Sequence, residues 1–139
     1  MESLHYLLMK AHALLSRKIV AGAAELGLTS GQPKVLDYLL RFGERDQKTI
    51  AAYCEIEPAT VGSILTRMEA EGLILRRQRP GNRRSLYVSL TEKGEEAARA
   101  LDGVFSAAEE EAARALSPEE VAALRAALEA FCRSAGREV

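Results

Sequence analysis

The hydrophobic pattern of this chain changes period twice, and that change constrains the fold more strongly than any other feature. Up to residue 71, apolar side chains recur every three or four positions, the period of amphipathic α-helices. Residues 73–78 and 85–90 instead alternate with a period of two, which is typical of strands. From Thr91 the helical period returns. The sequence therefore predicts a mostly α fold with one small β-hairpin.

Start and stop residues divide the first half of the chain into four helices. The first, over residues 3–26, carries one continuous apolar stripe. A second helix opens after Thr29, at capping-box spacing, and ends at Gly43. Asp46 caps a short third helix, and a fourth is predicted over residues 58–71. Three short helices thus precede the hairpin as one compact unit.

Two further helices follow the hairpin. An Ala-rich helix is predicted from Thr91 to about Leu116. A serine cap, a proline at the first position and a glutamate at the third start the last helix at Ser117. The side chains expected to face inward from this last helix are Val121, Leu124, Leu128 and Phe131.

Composition indicates that these helices complete their core against a partner. Apolar residues make up 47% of the 139 residues, yet aromatic residues make up only 5%, whereas there are 23 alanines and 19 leucines. Because alanine buries little surface, a monomer of this size would have a thin core. We therefore expect one domain over residues 1–139 that associates as a helical homodimer.

The charge distribution indicates local contact with a polyanion. A formal net charge of −1 excludes a histone-like polycation and an acidic disordered tail. Residues 58–91, however, contain six arginines against two glutamates, and five of those arginines lie in the hairpin. The planar guanidinium can bridge two phosphate oxygens or two base acceptors. The hairpin residues predicted to contact DNA are Arg76, Arg77, Arg79, Asn82, Arg83 and Arg84.

The helix before the hairpin has an unusual outward face. If Val61, Ile64, Leu65 and Met68 point inward, the opposite face consists of small and hydroxyl-bearing residues where a solvated helix usually carries Lys and Glu. Such a face lets the helix approach another surface closely. The helix residues predicted to contact DNA are Ala59, Thr60, Gly62, Ser63, Thr66 and Arg67. A helix-turn-helix followed by a two-stranded basic hairpin is the winged form of this DNA-binding motif.

The order of several short motifs resembles the MarR family of regulators. They are Leu28-Thr29-x-x-Gln32, Thr60-Val61 through Glu71-Gly72-Leu73-Ile74, the Arg-rich wing, and Leu90-Thr91-Glu92-Lys93-Gly94. The resemblance, over residues 28–101, implies a winged-helix homodimer with a DNA-binding lobe at residues 28–91. Residues 1–27 and 92–139 would form the dimerisation helices. The helix over residues 58–71 would enter the major groove and Arg84 the neighbouring minor groove.

The wing departs from the family pattern. The family usually has Asp-Pro-x-Asp-x-Arg, where this chain has Arg79-Pro80-Gly81-Asn82-Arg83-Arg84. The neutral amide of Asn82 replaces the carboxylate that would hold the wing arginine. We therefore expect a more basic and looser wing with stronger non-specific DNA binding.

The resemblance also implies a small-molecule cavity where the lobe meets the dimerisation helices. His12, Tyr38 and Phe42 are the candidate lining residues, although Tyr38 and Phe42 also fit a core role. The function expected is a ligand-responsive repressor that binds a pseudo-palindromic operator as a homodimer. Its effector would be a small aromatic or amphipathic molecule.

Two alternatives remain open from the sequence. The arginine hairpin could bind an acidic protein partner, or a cysteine, Cys54 or Cys132, could act as a redox sensor, although Glu55 disfavours a reactive thiol beside it. No motif of an enzyme, metal site or cofactor site is found. No apolar run reaches membrane-spanning length and no secretory signal is recognised, so we expect a cytoplasmic protein.

Overall fold

The computed structural model describes residues 1–136, except for the side chain of Arg83, and shows six helices with a three-stranded antiparallel sheet. This confirms the predicted mostly α fold with a hairpin wing. The elements in chain order are α1 (Leu4–Glu25), α2 (Gln32–Phe42), β1 (Arg45–Asp46), α3 (Gln47–Tyr53), α4 (Pro58–Ala70), β2 (Ile74–Arg79), β3 (Asn82–Leu90), α5 (Glu92–Ala112) and α6 (Pro118–Ser134).

The core lies in the winged-helix part of the chain. Side chains from α2, α3, α4, the sheet and α5 are buried together, and the largest of them are fully enclosed. The strand order is β1-β3-β2, so the hairpin strand β3 is central. The two-residue strand β1 is too short to show any hydrophobic period, and the sequence did not predict it. Fully buried residues that define this core include Leu36, Ile50, Leu65, Met68, Ile74 and Leu101.

Local capping residues set most helix boundaries where the sequence predicted them. The Asp46 and Thr91 side chains accept hydrogen bonds from the backbone N–H groups of Thr49 and Gly94. Ser117 forms the complete predicted capping box. At α2 only half of the predicted box forms, because the side chain of Gln32 accepts from the Thr29 N–H and no side chain caps the helix itself.

The wing is longer than predicted. We expected a six-residue turn over residues 79–84, but Arg79 pairs with Asn82 in the sheet. The turn therefore consists of Pro80 and Gly81 alone, with Gly81 at a φ of 83°, a conformation that favours glycine. The predicted turn bounds are wrong because the basic residues after the turn continue the strand.

Residues at the start of α5 fix the end of α4. The Thr91 hydroxyl donates to the carbonyl oxygen of Gly72 at 2.6 Å, and the Lys93 ammonium donates to that of Glu71 at 2.7 Å. Gly94 packs so closely that an added Cβ would overlap the carbonyl oxygen of Leu73. This clamp, Thr91–Gly94, sets the position of α4 relative to α5.

The terminal helices carry an uncovered apolar surface. None of the side chains of α6 is buried, and Leu124 and Phe131 are 49% and 44% exposed. The expectation that these side chains face inward is therefore wrong for the single chain. The accessible surface is 9532 Å², compared with about 7,100 Å² expected for a compact monomer of this mass. Within residues 1–136, no helix is both long and apolar enough to cross a membrane.

Candidate nucleic-acid interface

Helix α4 divides into a buried face and an exposed face as its sequence predicted. Val61, Leu65 and Met68 are buried, and Ile64 is partly buried, with its side chain close to Gly31. The opposite side is open to solvent, apart from a half-buried Gly62. The exposed face thus presents small and hydroxyl-bearing residues and a single arginine: Ala59, Thr60, Ser63, Thr66 and Arg67.

Arg67 is held on its own helix. Its Nε donates to the Glu71 carboxylate at 3.1 Å, one turn later. The same carboxylate accepts from the side chain of the buried Gln32 at 3.1 Å. This chain of contacts joins the start of α2 to the end of α4, and it holds Arg67 beside Glu71.

Arg76 connects elements within the protein, although the sequence analysis predicted it to contact DNA. Its guanidinium donates to Glu69 at 3.1 Å, to the Thr66 hydroxyl at 3.1 Å and to the Gln47 side chain at 3.1 Å. The side chain is only 15% exposed. Arg76 therefore ties β2 to α3 and α4, and its charge is offset by Glu69.

Glu44 neutralises two more wing arginines. Its carboxylate accepts from Arg77 at 3.1 Å and from Arg79 at 2.7 Å. These hydrogen bonds, the one from Arg79 first, hold the pKa of the Glu44 carboxyl below its usual value. The Arg79 guanidinium also lies 4.1 Å from the centre of the Tyr87 ring. The wing is therefore anchored to the loop before β1, which corrects the expectation of a loose wing.

Arg84 lies at a cleft beside α4. It is exposed and lines a cleft of about 300 Å³ together with Lys48 and Ser85, beside the start of α4. Lys48 was missed by the sequence reasoning because it lies outside the wing and the fourth helix. Asn82 is half-buried in register with Arg79. The side chain of Arg83 lies outside the described part of the structure.

A second cavity, of about 750 Å³, lies between α1, the start of α2 and α4. His12 lines it, as expected, and so do Thr60 and Ile64 from α4. Tyr38 and Phe42 do not line it. Their rings pack against each other at 5.0 Å between centres, tilted by 44°, and both rings also pack against Tyr53. Tyr38 is buried, whereas Phe42 is 41% exposed at the end of α2, so only Tyr38 fits the core role proposed for both.

Residues 28–86 match the model of the MarR family. The match covers 59 of the 139 residues and contains the helix-turn-helix and most of the wing, so the chain resembles the MarR family over this segment. It is similar to the homoprotocatechuate degradative operon repressor of Escherichia coli, at 35% identity over 92 residues, which cover 58% of this chain and 62% of the repressor. The match thus spans less than two thirds of that relative.

Solved structures share the fold of this chain over nearly its whole length. The MepR–DNA complex from S. aureus superposes with a TM-score of 0.84 at 24% identity and covers 96% of this chain and 99% of that one. Bordetella bronchiseptica BpsR, whose DNA binding is regulated by 6-hydroxynicotinic acid, gives 0.86 at 23% identity, covering 94% and 98%. These likenesses show that the chain, including its terminal helices, has the winged-helix fold of these structures over 94–96% of its length.

The setting of Cys54 disfavours a reactive thiol. Cys54 is buried, and burial raises the pKa of its thiol to about 11. Its Sγ donates to the carbonyl oxygen of Lys34 at 3.6 Å. Cys132 is half-buried on α6. Among residues 1–136, no group of three or more His, Cys, Asp or Glu is arranged to hold a metal ion.

Proposed function

We propose that this chain is a MarR-family transcriptional repressor that binds a pseudo-palindromic operator as a homodimer. One observation supports the proposal most strongly: the exposed face of α4 is built of small and hydroxyl-bearing residues, directly beside a basic wing. A helix of this kind fits the major groove closely, and short polar side chains then reach base edges. The residues proposed to contact bases on α4 are Ala59, Thr60, Gly62, Ser63, Thr66 and Arg67.

The wing would supply the second contact with DNA. Arg84 is exposed and forms no ion pair with any described residue, so we assign it to the minor groove. Lys48 shares its cleft and would contact a backbone phosphate. Arg77 and Arg79 would contribute only after releasing Glu44.

Dimerisation would cover the apolar surface of the terminal helices. The accessible surface exceeds that of a compact monomer by roughly 2,400 Å², which is the scale of an extensive protein interface. Leu4 and Leu7 of α1, like Leu124 and Phe131 of α6, are exposed in the single chain. Residues 1–27 and 92–139 would therefore form the dimerisation region, and residues 28–91 the DNA-binding lobe.

A dimer of two lobes would read two half-sites about one helical turn, roughly 34 Å, apart. A small aromatic or amphipathic effector in the larger cavity would contact both α1 and the Thr60 and Ile64 side chains of α4. Such a ligand would shift the population towards a lobe placement that does not match the operator. The regulation of BpsR by 6-hydroxynicotinic acid, a small aromatic molecule, supports an effector of this class. We place this regulator in the cytoplasm and propose no catalytic activity for it.

Fluorescence anisotropy on a selected duplex tests this function. The protein first enriches a binding duplex from a pool of random double-stranded DNA, and a scrambled duplex of equal composition serves as the control. We expect the selected duplex to bind at least 10³-fold more tightly at physiological salt, which is typical of specific recognition. We also expect Arg84→Ala to weaken that binding. Equal affinity for both duplexes, with no loss in Arg84→Ala, would contradict the proposal.

A further inference from the structure

The proton and one of the two lone pairs of the Thr66 hydroxyl are already used within the chain. Its Oγ1 lies 2.9 Å from the carbonyl oxygen of Gly62, and because a carbonyl only accepts, the hydroxyl donates its proton there. Nη2 of Arg76 lies 3.1 Å from the same Oγ1. Because a guanidinium only donates, Oγ1 accepts this hydrogen bond with one of its lone pairs. Thr66 has no proton left to donate to a base.

Arg76 is itself held by other residues, which fixes its hydrogen bond to the Thr66 hydroxyl. The guanidinium is bound at the same time by Glu69 and by Gln47 from a second helix. A β-branched side chain in a helix has few allowed χ1 rotamers. Turning the Thr66 hydroxyl toward a base would therefore break two hydrogen bonds within the protein. With the hydroxyl held by these two hydrogen bonds, the γ-methyl is the group of this exposed side chain that stays free of polar contacts.

We propose that Thr66 is a specificity-determining residue that reads a thymine through contact between its γ-methyl and the C5-methyl of the base. The inference rests on the proposed DNA-binding function and adds to it the base read at this position. In the major groove, thymine is the base that carries a methyl group, whereas guanine presents two acceptors that need donors. Thr66 offers no donor to guanine, and its methyl group is complementary to thymine.

Deoxyuridine scanning isolates this contact, because replacing thymine by uracil removes only the C5-methyl. Each thymine of a selected duplex is replaced in turn, and Kd is measured by fluorescence anisotropy. For the wild type we expect one thymine in each half-site whose replacement weakens binding about fourfold, equivalent to ~0.8 kcal/mol for one buried methyl-sized group. All other replacements should change Kd less.

Thr66→Ser provides the decisive variant, because it removes the methyl and keeps the hydroxyl with both of its hydrogen bonds. It should bind the thymine and uracil duplexes equally. Ser63→Ala, at another exposed hydroxyl residue of the same helix face, is the matched control and should keep the fourfold ratio. A purely structural role of Thr66 would lower affinity for both duplexes alike and leave the ratio unchanged.

The outcomes separate this inference from the proposed function. If the selected duplex binds specifically but the thymine-to-uracil ratio is one in the wild type, or the same in wild type and Thr66→Ser, methyl reading by Thr66 is overturned and DNA binding stands. If no duplex is enriched from the random pool, the proposed function is overturned, and the inference with it.

Discussion

Glu44 and Arg79 are 35 positions apart in the chain, yet the Glu44 Oε1 lies 2.7 Å from the Arg79 Nη2. The same carboxylate accepts from Arg77. One acid before β1 thus offsets two arginines that the local sequence presents as free cations. The carboxylate occupies the positions where DNA phosphate oxygens would bind these guanidinium groups.

Replacing this acid should strengthen non-specific DNA binding. In Glu44→Gln, Arg77 and Arg79 lose their ion-pair partner and can neutralise phosphates. We expect the slope of log K against log salt for a scrambled duplex to steepen by up to about two, because each phosphate neutralised contributes about 0.9. Anisotropy titrations at four or more salt concentrations measure this slope.

Glu119→Gln is the control for the change in net charge, since Glu119 is an exposed acid in the first turn of α6. It should leave the slope unchanged. An equal steepening in both variants would show that overall charge, rather than release of the two wing arginines, is responsible.

The clamp at the start of α5 should make Gly94 intolerant of a side chain. A Cβ there would overlap the backbone carbonyl oxygen of Leu73, which cannot move without shifting the end of α4. We expect Gly94→Ala to lower the free energy of unfolding by about 1–3 kcal/mol, the usual cost of overpacking. Urea denaturation followed by circular dichroism measures the change.

Gly62→Ala is the matched comparison for stability, since an added Cβ at this helical glycine meets no atom within 4 Å. It should raise the free energy of unfolding by roughly 0.5–1 kcal/mol, as expected for alanine in a helix. If Gly94→Ala is as stable as the wild type, the close approach of α5 to Leu73 is wrong.

Cys54 should react slowly, because burial raises the pKa of its thiol to about 11. At neutral pH very little thiolate is present, so iodoacetamide should modify Cys54 in the native protein far more slowly than in the unfolded chain. The rate should rise as the pH approaches 11. Mass spectrometry distinguishes Cys54 from Cys132. The thiol-sensing alternative requires the opposite: peroxide changes DNA affinity, and Cys54→Ser abolishes that change.

Features encoded locally were predicted well from the sequence, whereas features that join distant residues were not. Asp46, Thr91 and Ser117 cap helices through contacts with residues three positions later. A short stretch of sequence is therefore enough to predict their role. The outward face of α4 follows from helical period alone. The pairing of Arg76 with Gln47, or of Glu44 with the wing, joins residues about 30 positions apart. No local pattern could show that these arginines were already paired.

The larger cavity shows the same difference between features encoded locally and features that join distant residues. His12, a predicted ligand-pocket residue, lines this cavity from α1. Tyr38 and Phe42 were candidates because aromatic residues often line ligand cavities. Instead, both rings pack against Tyr53 of α3, Tyr38 in a tilted arrangement and Phe42 edge-on. Whether His12 contacts an effector stays a prediction.

The exposed apolar stripe of α6 should mediate association. Placing a charge there with Phe131→Glu should convert the proposed homodimer, of about 30 kDa from two chains of 15.1 kDa, to a monomer. Light scattering coupled to size-exclusion chromatography measures the mass. Ala126→Glu, which lies on the opposite side of α6 at 100° per residue, should remain dimeric. A wild type that is monomeric at micromolar concentration would contradict the proposed dimer.

The most direct test of the account is the Kd of Ser63→Glu for the selected duplex. Ser63 is exposed at the centre of the α4 face, so a carboxylate there would oppose the negative charge of DNA. We predict at least a tenfold loss of affinity with an unchanged melting temperature. Ala115→Glu, which adds the same charge in the turn between α5 and α6, should bind within twofold of the wild type. Wild-type affinity in Ser63→Glu would contradict the claim that this face of α4 binds DNA.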